Sequence, residues 1–192
     1  MKKICGNNIE LKLLERIDLD SIASAWDEFR YVPFDSYSKD LFFWKCNKTN
    51  EVFDWSSNSI PTTIHFCIFY ENNAIGYTSF YIDFETGFVN FKFTIFKPEY
   101  RELNLYSELN ILRHKFVYSF PEINKTTIRL LKNNPRQEGT LQSLYTVIDK
   151  EELNNIKGTF IHSHITRDIW EAWINDENQL SKLNQRFEVN EV

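Results

Sequence analysis

The 192-residue sequence is poor in glycine, proline, cysteine and methionine, with 5, 5, 3 and 1 residues of these types. Three widely separated cysteines, Cys5, Cys46 and Cys67, exclude a disulfide framework and predict a reduced, cytoplasmic protein. Because glycine is so scarce, we expect Asn, Asp and Lys to make most of the turns.

Long runs of one residue type are also missing. The longest apolar stretch is far shorter than the roughly 20 residues that span a bilayer, and the N terminus, MKKICGNN, lacks the apolar segment of a signal peptide. No basic run exceeds two residues, and the net charge is −5. These features argue against a nucleic-acid-binding face. We therefore expect neither a membrane nor a nucleic acid as a partner.

Strand and helix patterns alternate along the chain, which at this length predicts one domain, residues 1–178, followed by a polar tail at 179–192. We predict strands at residues 9–14, 63–70, 75–82, 88–96 and 126–131, helices at 20–29, 39–45, 102–120 and 141–154, and a closing hairpin within 157–174. Asp18 or Asp20 is suited to cap the first helix. Asn72-Asn73 is suited to a tight hairpin turn with positive φ.

The most informative segment lies between residues 91 and 117. Phe91, Phe93 and Ile95 alternate with polar residues, as in a strand, and Pro98 ends the strand because proline has no N–H to donate. From about Leu103 the apolar residues fall three or four apart, as on one face of a helix. A strand that leads into a helix through a short turn directs several backbone N–H groups at one place, which predicts an anion site.

The order strand, Pro98, Tyr100, Arg101, helix resembles the pyrophosphate-binding segment of the GNAT superfamily of acyl-CoA N-acyltransferases. In that family the arginine begins the pattern Arg/Gln-x-x-Gly-x-Gly/Ala, whereas Asn104 and Tyr106 occupy the two glycine positions here. Glycine lets a backbone approach a phosphate closely, and a tyrosine side chain takes up that space.

Two other segments resemble the ribosomal-protein and amino-sugar N-acetyltransferase branch of the same superfamily. CGNNIELKLLERIDLDSIASAW is similar to its opening strand and Asp-capped helix ending in tryptophan. KGTFIHSHITRDIWEAWI is similar to its closing hairpin, with Gly158, Thr159, Arg167 and Asp168 in the same order, followed by a last apolar strand. In such a strand Trp170 and Trp173 would lie on opposite faces.

The resemblance implies an α/β (α+β) fold of GNAT type, in which helices flank a mixed, mostly antiparallel sheet. It also implies acyl transfer from acetyl-CoA, or another acyl-CoA, to a primary amine of a small molecule or a peptide N-terminus. The residues implied to bind the cofactor are Thr94 and Phe96 on the strand, Arg101, Glu102, Leu103, Asn104, Leu105 and Tyr106 at the helix entrance, and Asn134, which lies eleven residues before Tyr145.

The family's usual general acid is a tyrosine in a Leu-Tyr pair on the helix after the fifth strand, which corresponds here to Leu144-Tyr145. A half-buried core tyrosine is the alternative for Tyr145. Candidates for the general base are Asp83 and Glu85, which are otherwise turn residues, and His164. His162, His164 and Asp168 are ligand types for zinc, but no second cluster accompanies them, and we expect no metal.

The acceptor side is predicted from the first helix, where Trp26, Asp27 and Glu28 would line a cleft suited to a cationic amine. Solvation on the helix surface is the alternative for the two carboxylates. Another class of function is also open: a degenerate GNAT fold without CoA chemistry that serves as a protein-binding or regulatory module. Edge strands and exposed tryptophans are compatible with a homodimer.

Overall fold

The computed structural model describes residues 3–30, 63–103, 105–131, 149–155 and 158–177. Eight strands and three α-helices occur within these residues. The strands are β1 (Lys3–Cys5), β2 (Ile9–Leu13), β3 (Thr63–Tyr70), β4 (Asn73–Asp83), β5 (Phe88–Phe96), β6 (Lys125–Leu131), β7 (Asp149–Asn155) and β8 (Gly158–Thr166). The helices are α1 (Arg16–Arg30), α2 (Tyr106–Val117) and α3 (Arg167–Ile174), and a 3-10 turn (Pro98–Leu103) precedes α2.

All eight strands form one sheet in the order β1-β2-β3-β4-β5-β6-β8-β7. Every neighbouring pair is antiparallel except β5 and β6, which run parallel. The chain crosses between those two strands through α2, as a parallel connection requires. The predicted mixed, mostly antiparallel sheet flanked by helices is confirmed.

The larger core lies between the sheet and α2. Alternate residues of the central strands point toward this face, and the helix adds residues spaced three or four apart. Phe66 illustrates the packing, because its ring lies 5.4 Å from the rings of both Phe80 and Phe116. The fully buried members include Ile9, Leu11, Ile64, Phe66, Ile68, Ile75, Phe80, Val89, Leu109, Val117 and Ile123.

Helix α1 covers part of the opposite face, where Leu19 and Ile22 pack against Cys67, Ala74 and Tyr77. The helix begins four residues earlier than predicted, and Asp18 lies in its first turn. The Asp18 carboxylate accepts the Glu15 N–H at 2.8 Å. Asp18 is the third residue of α1, and its side chain thus provides a hydrogen-bond partner for the N–H of the residue just before the helix.

Three predicted elements are wrong. The helix predicted at 102–120 is divided, because residues up to Leu103 wind as a 3-10 turn and the α-helix ends at Val117. Residues 149–155, the end of the helix predicted at 141–154, form β7 because each of them pairs with a residue of β8. The last apolar strand is instead α3, which places Trp170 and Trp173 on the same side with their rings stacked 5.4 Å apart.

The turn between β3 and β4 also differs in register from the prediction. Positive φ occurs at Glu71 and Asn72, with values of 48° and 65°, whereas Asn73 already begins β4. The predicted helix at 39–45, residues 141–148 and the tail at 179–192 lie outside the described residues. None of the described helices is long and apolar enough to cross a bilayer.

Candidate active site

The parallel strands β5 and β6 pair over part of their length only. Their register runs from Phe88↔Lys125 to Phe91↔Ile128, although β5 continues to Phe96 and β6 to Leu131. Beyond Phe91 the strand β5 remains paired with β4 on its other side, as far as Gly76↔Phe96. Within the part of the chain that the structure describes, β5 and β6 therefore form no pairs beyond Phe91↔Ile128.

A β-bulge lies at the point where the two strands part. Ser79 pairs with Phe93 and Phe80 pairs with Phe91, so Lys92 is the extra residue on β5. Bulges bend a strand and increase its twist. The bulge and the end of pairing at Phe91 together explain why the carboxyl half of β5 diverges from β6.

Helix α2 begins just beyond the carboxyl end of β5. The chain leaves β5 at Phe96, passes through the 3-10 turn that contains Arg101, Glu102 and Leu103, and enters the helix after Leu105. The first bond of the helix runs from the Leu109 N–H to the Leu105 carbonyl, so the N–H groups of the preceding turn have no partner inside the helix. The predicted strand, turn and helix N-terminus are therefore brought to one end of the sheet, whereas Asn104 lies outside the described residues.

Tyr106, at one of the family's glycine positions, is the first residue of α2 and is half-buried. Its ring packs edge-on against Phe96, with 5.7 Å between the ring centroids, and it contacts the larger core. The tyrosine side chain is thus anchored to β5. The hydroxyl of Thr94, two residues before Phe96, lies 3.2 Å from the hydroxyl of Thr78 on β4.

Glu108, in the first turn of α2, is a buried carboxylate that sequence reasoning did not single out. It is 4% exposed and accepts the backbone N–H of Asn8 at 2.7 Å, the side-chain amide of Asn8 at 2.9 Å and the N–H of Ile9 at 3.3 Å. These donors belong to the turn between β1 and β2 and to Ile9, the first residue of β2. The carboxylate is therefore held by that turn, at the start of the same helix.

His164, a predicted base, lies on β8 with its Nδ1 at 2.9 Å from the Thr127 hydroxyl of β6. Thr127 is in register with Asn90 on β5, one residue before the last β5–β6 pair. The predicted histidine is therefore placed two strands from the point where β5 and β6 part. Among the described residues no group of three or more His, Cys, Asp or Glu side chains is arranged to hold a metal.

Asp83 and Glu85 lie at the other end of β4, in the turn that leads to β5. The Asp83 carboxylate accepts the N–H groups of Glu85 and Thr86 at 3.1 and 3.2 Å. Hydrogen bonds from Thr86 lower the pKa of Asp83. Asp83 pairs with Phe88, which lies three residues before Phe91 on β5, where the pairing with β6 ends. Glu85 is exposed in the turn.

A second buried histidine, His114 on α2, was missed because nothing in its local sequence marks it as buried. Its Nδ1 lies 2.7 Å from the Asn110 carbonyl, its Nε2 lies 3.1 Å from the Thr126 hydroxyl, and Trp170 stacks on its ring at 4.9 Å. Burial lowers the pKa of His114 from 6.5 to about 3, which keeps the imidazole neutral. Tyr118 joins the cluster through its hydroxyl, which donates to the Ile165 carbonyl at 2.6 Å, and burial raises its pKa to about 12.

The remaining predicted site residues divide into two groups. Trp26, Asp27 and Glu28 lie in the carboxyl half of α1, a helix that contacts β4 and β5 on the face opposite α2. Asn134 and Tyr145 lie outside the described residues. The structure thus brings the β5 and α2 residues together and leaves the proposed acid as a prediction.

Solved structures of N-acetyltransferases superimpose on this chain over nearly their whole length. A chimera of the spermidine N-acetyltransferase SpeG from Vibrio cholerae and hSSAT has a TM-score of 0.67 at 17% identity, covering 86% of this chain and 99% of the other. The ribosomal-protein alpha-N-acetyltransferase RimL has a TM-score of 0.65 at 11% identity, covering 86% and 94%. The aminoglycoside acetyltransferase AAC(6')-Ib in complex with coenzyme A has a TM-score of 0.64 at 12% identity, covering 85% and 98%.

The chain has the GNAT fold. No family model and no curated protein matches it by sequence. In this chain β5, the 3-10 turn and α2 follow one another in the order predicted from the sequence resemblance. The resemblance is therefore confirmed at the level of fold.

Proposed function

We propose that this protein is an acyl-CoA-dependent N-acyltransferase that transfers an acyl group, most simply acetyl, to the primary amine of a small molecule or a peptide N-terminus. The observation that carries the proposal is the end of β5–β6 pairing at Phe91↔Ile128, while β5 itself continues to Phe96 and leads through the 3-10 turn into α2. An extended chain with its own amide groups fits between strands that part in this way, and an anionic group fits at the helix N-terminus.

The residues present fit acyl-CoA through their backbone. The edge of β5 at Thr94 and Phe96 offers amide and carbonyl groups to the pantetheine arm, and the N–H groups of 101–106 offer donors to the pyrophosphate. The bound acyl-CoA supplies an activated acyl thioester. The protein's part is to hold the thioester carbonyl and the amine in contact, which removes most of the entropic cost of bringing them together.

The amine must lose a proton before it attacks, and the leaving thiolate must gain one. Tyr145 is our candidate for the acid, from the family's Leu-Tyr pair. Asp83, Glu85 and His164 are the candidates for the base, of which His164 lies nearest in register to the parting of the strands. Trp26, Asp27 and Glu28 on α1 are the candidates for binding the acceptor, and their two carboxylates suit a cationic amine.

The structural neighbours support this class of acceptor, because they include spermidine, ribosomal-protein and aminoglycoside acetyltransferases. We therefore propose a cationic amine as acceptor. The proposed reaction requires no metal.

A second candidate function is a binding or regulatory module that keeps the GNAT fold without CoA chemistry. The packing of Tyr106 against Phe96 favours it, because this side chain stands where the family has a glycine. If the phenol ring also closes the helix N-terminus to pyrophosphate, the protein binds no CoA.

An acceptor screen tests the transferase proposal. The purified protein is incubated with acetyl-CoA and, in turn, spermidine, an aminoglycoside and a peptide with a free N-terminus, and release of CoA thiol is followed. We expect thiol release that depends on one of the amines and a product heavier by one acetyl group. Release without an amine, or none with any acceptor class, contradicts the proposal.

A pair of charge reversals locates the activity at the proposed cofactor site. Arg101→Glu places a carboxylate in the segment expected to bind pyrophosphate, so we expect the KM for acetyl-CoA to rise about tenfold or more, equivalent to ~1.4 kcal/mol. Arg16→Glu, at the start of α1, is the matched control and leaves that KM unchanged. Equal effects of the two variants would argue against binding at 101–106.

A further inference from the structure

The carboxylate of Glu108 stands at the entrance of α2 but is bonded to another part of the chain. Glu108 is the third residue of the helix, which begins at Tyr106. From that position a glutamate side chain can reach back to the backbone N–H of the N-cap residue, as in a capping box. Here Oε1 accepts the N–H of Asn8 at 2.7 Å and Oε2 accepts the side-chain amide of Asn8 at 2.9 Å. Both oxygens are therefore bonded to the turn between β1 and β2.

The turn between β1 and β2 is shaped around this carboxylate. The N–H of Ile9 is a third donor, at 3.3 Å from Oε1 of Glu108, and the N–H of Gly6 closes the turn on the Ile9 carbonyl at 2.8 Å. A Cβ at residue 6 would collide with Oε1, so glycine lets the turn lie against the carboxylate. The three hydrogen bonds from Asn8 and Ile9 to Glu108, here called the Glu108 clamp, satisfy a charge that would be costly to bury without donors.

The segment that leads into α2 is attached to the sheet at further points. The backbone N–H of Lys97 donates to a carbonyl of β4 at 2.8 Å. In the 3-10 turn the ring of Tyr100 packs edge-on against Tyr70 at the end of β3, with 6.1 Å between the ring centroids, and Tyr106 packs against Phe96. The Glu108 clamp adds an attachment just inside the helix. The backbone proposed to bind pyrophosphate, 101–106, is therefore held on both sides.

The direction of the Glu108 carboxylate matters because a helix N-terminus attracts negative charge. The partial positive charge of the first turn stabilises either a carboxylate of the helix or a bound anion. Leu105, the N-cap residue, has an aliphatic side chain that cannot accept the N–H groups of the first turn. A Glu108 carboxylate released from the hairpin would turn toward those N–H groups and repel a bound pyrophosphate. The Glu108 clamp directs that charge to the hairpin instead.

We infer that the Glu108 clamp keeps the N-terminus of α2 open to the pyrophosphate of the cofactor, so that the N-terminal hairpin controls cofactor affinity. The inference rests on the proposed N-acyltransferase function and deepens it. Asn8 is a positioning residue that acts through Glu108. When the clamp is broken, the Glu108 carboxylate competes with the pyrophosphate for the same N–H groups.

The amide and carboxylate of this pair can be exchanged with little change in shape. Asn8→Asp places a second carboxylate where the amide now lies, 2.9 Å from Oε2 of Glu108, and the two like charges repel each other. Glu108→Gln removes the charge from the helix and keeps the side-chain shape. In the double variant the glutamine amide donates to the aspartate, which restores the bond with reversed polarity. The negative charge has then moved from the helix to the hairpin.

The same turn provides a matched control asparagine. Asn7 precedes Asn8 and is exposed. Asn7→Asp adds the same negative charge to the hairpin while both residues of the Asn8–Glu108 pair stay unchanged. The control therefore separates expulsion of the Glu108 carboxylate from a general repulsion between an acidic hairpin and an anionic cofactor.

The test measures the Kd for CoA by calorimetric titration and the stability of each variant by urea unfolding. We expect Asn8→Asp to weaken CoA binding about fivefold, the size of a charge effect at a helix N-terminus, and by less at high salt. Glu108→Gln binds CoA at least as tightly as the wild type although the variant is less stable. The double variant regains wild-type affinity, and Asn7→Asp keeps it.

Three results would overturn the inference: wild-type CoA affinity in Asn8→Asp, equal losses of affinity in Asn8→Asp and Asn7→Asp, or an affinity that falls together with stability in Glu108→Gln. The last result would make the clamp a purely structural contact. If Asn8→Asp does not fold, Glu108→Gln decides alone, because only release of a competing charge keeps the affinity while the stability falls. Absence of CoA binding by the wild-type protein would instead contradict the proposed function itself.

Discussion

Glu108 and Asn8 are joined by two hydrogen bonds although they lie 100 residues apart in the chain. The bonds join the turn between β1 and β2 to the first turn of α2. A carboxylate in that first turn would otherwise compete with an anionic ligand for the N–H groups of the helix. The N-terminal hairpin thus holds the start of the helix at the proposed cofactor site.

Glu108→Gln should therefore destabilise the fold. The glutamine keeps the shape of the side chain but loses the charge that three donors share, and a hydrogen bond to a charged group contributes about 1.5–3 kcal/mol. We expect a loss of about 2 kcal/mol in the free energy of unfolding, measured with urea. Glu99→Gln, exposed in the 3-10 turn, is the control and should change it by less than about 0.5 kcal/mol. Equal losses would contradict the account.

Gly6→Ala tests the same contact from the other side. A Cβ at residue 6 would collide with Glu108 Oε1, and the carboxylate is already held by Asn8 and Ile9. We expect a lower melting temperature for Gly6→Ala, and a double variant with Glu108→Gln that loses less than the two single losses together. Additive losses would mean that the methyl group and the carboxylate do not meet.

His114 should make stability fall with acid. Its folded pKa lies at about 3 and its ordinary value at 6.5, so below pH 6.5 the unfolded chain binds a proton that the folded chain does not. Stability is then lost as the pH falls from about 6.5 toward about 3, by up to ~1.4 kcal/mol per pH unit. Urea unfolding between pH 4 and 7.5 should show a flatter dependence for His114→Gln than for the wild type. Lys115→Gln, exposed on the same helix, keeps the wild-type slope, and an unchanged slope for His114→Gln would refute the assignment.

Much of the fold was predictable because strands alternate apolar and polar residues wherever one face is buried. β3 and β5 have the predicted bounds. By contrast, β7 has the sequence DKEELNN, in which Lys150, Glu151, Glu152 and Leu153 favour helices, and pairing with β8 overrides that preference. In α3, Trp170 and Trp173 fit a helix because residues three apart share a face.

The site was predictable only where it is local in sequence. Strand β5, Pro98 and the entrance to α2 are contiguous, so their order could be read from the chain. The contact between Thr127 and His164 depends on register between strands that are distant in sequence, since the two residues lie 37 residues apart. Register is fixed by the packing of the whole sheet, which a single sequence does not reveal.

Tyr106→Gly tests the departure from the family pattern. Glycine removes the side-chain volume at the helix entrance, so we expect the affinity for acetyl-CoA to be equal or higher. Loss of the contact with Phe96 should cost about 1 kcal/mol of stability. Tyr106→Phe keeps that contact and separates the ring from its hydroxyl. A clear loss of affinity in the glycine variant would mean that the tyrosine itself is a ligand.

Tyr145→Phe tests the proposed acid. The variant lacks the hydroxyl that would protonate the thiolate, so we expect slower turnover with little change in melting temperature. Normal turnover together with a lowered melting temperature would make Tyr145 a core residue.

Calorimetric titration of the purified protein with acetyl-CoA and CoA, with ATP as a control ligand, tests the central claim most directly. We predict micromolar binding of acetyl-CoA or CoA and no binding of ATP, because the proposed site between β5 and β6 is for a pantetheine arm, which ATP lacks. No binding of either CoA species at millimolar concentration would contradict the transferase account and leave the GNAT fold of this chain as a protein-binding module.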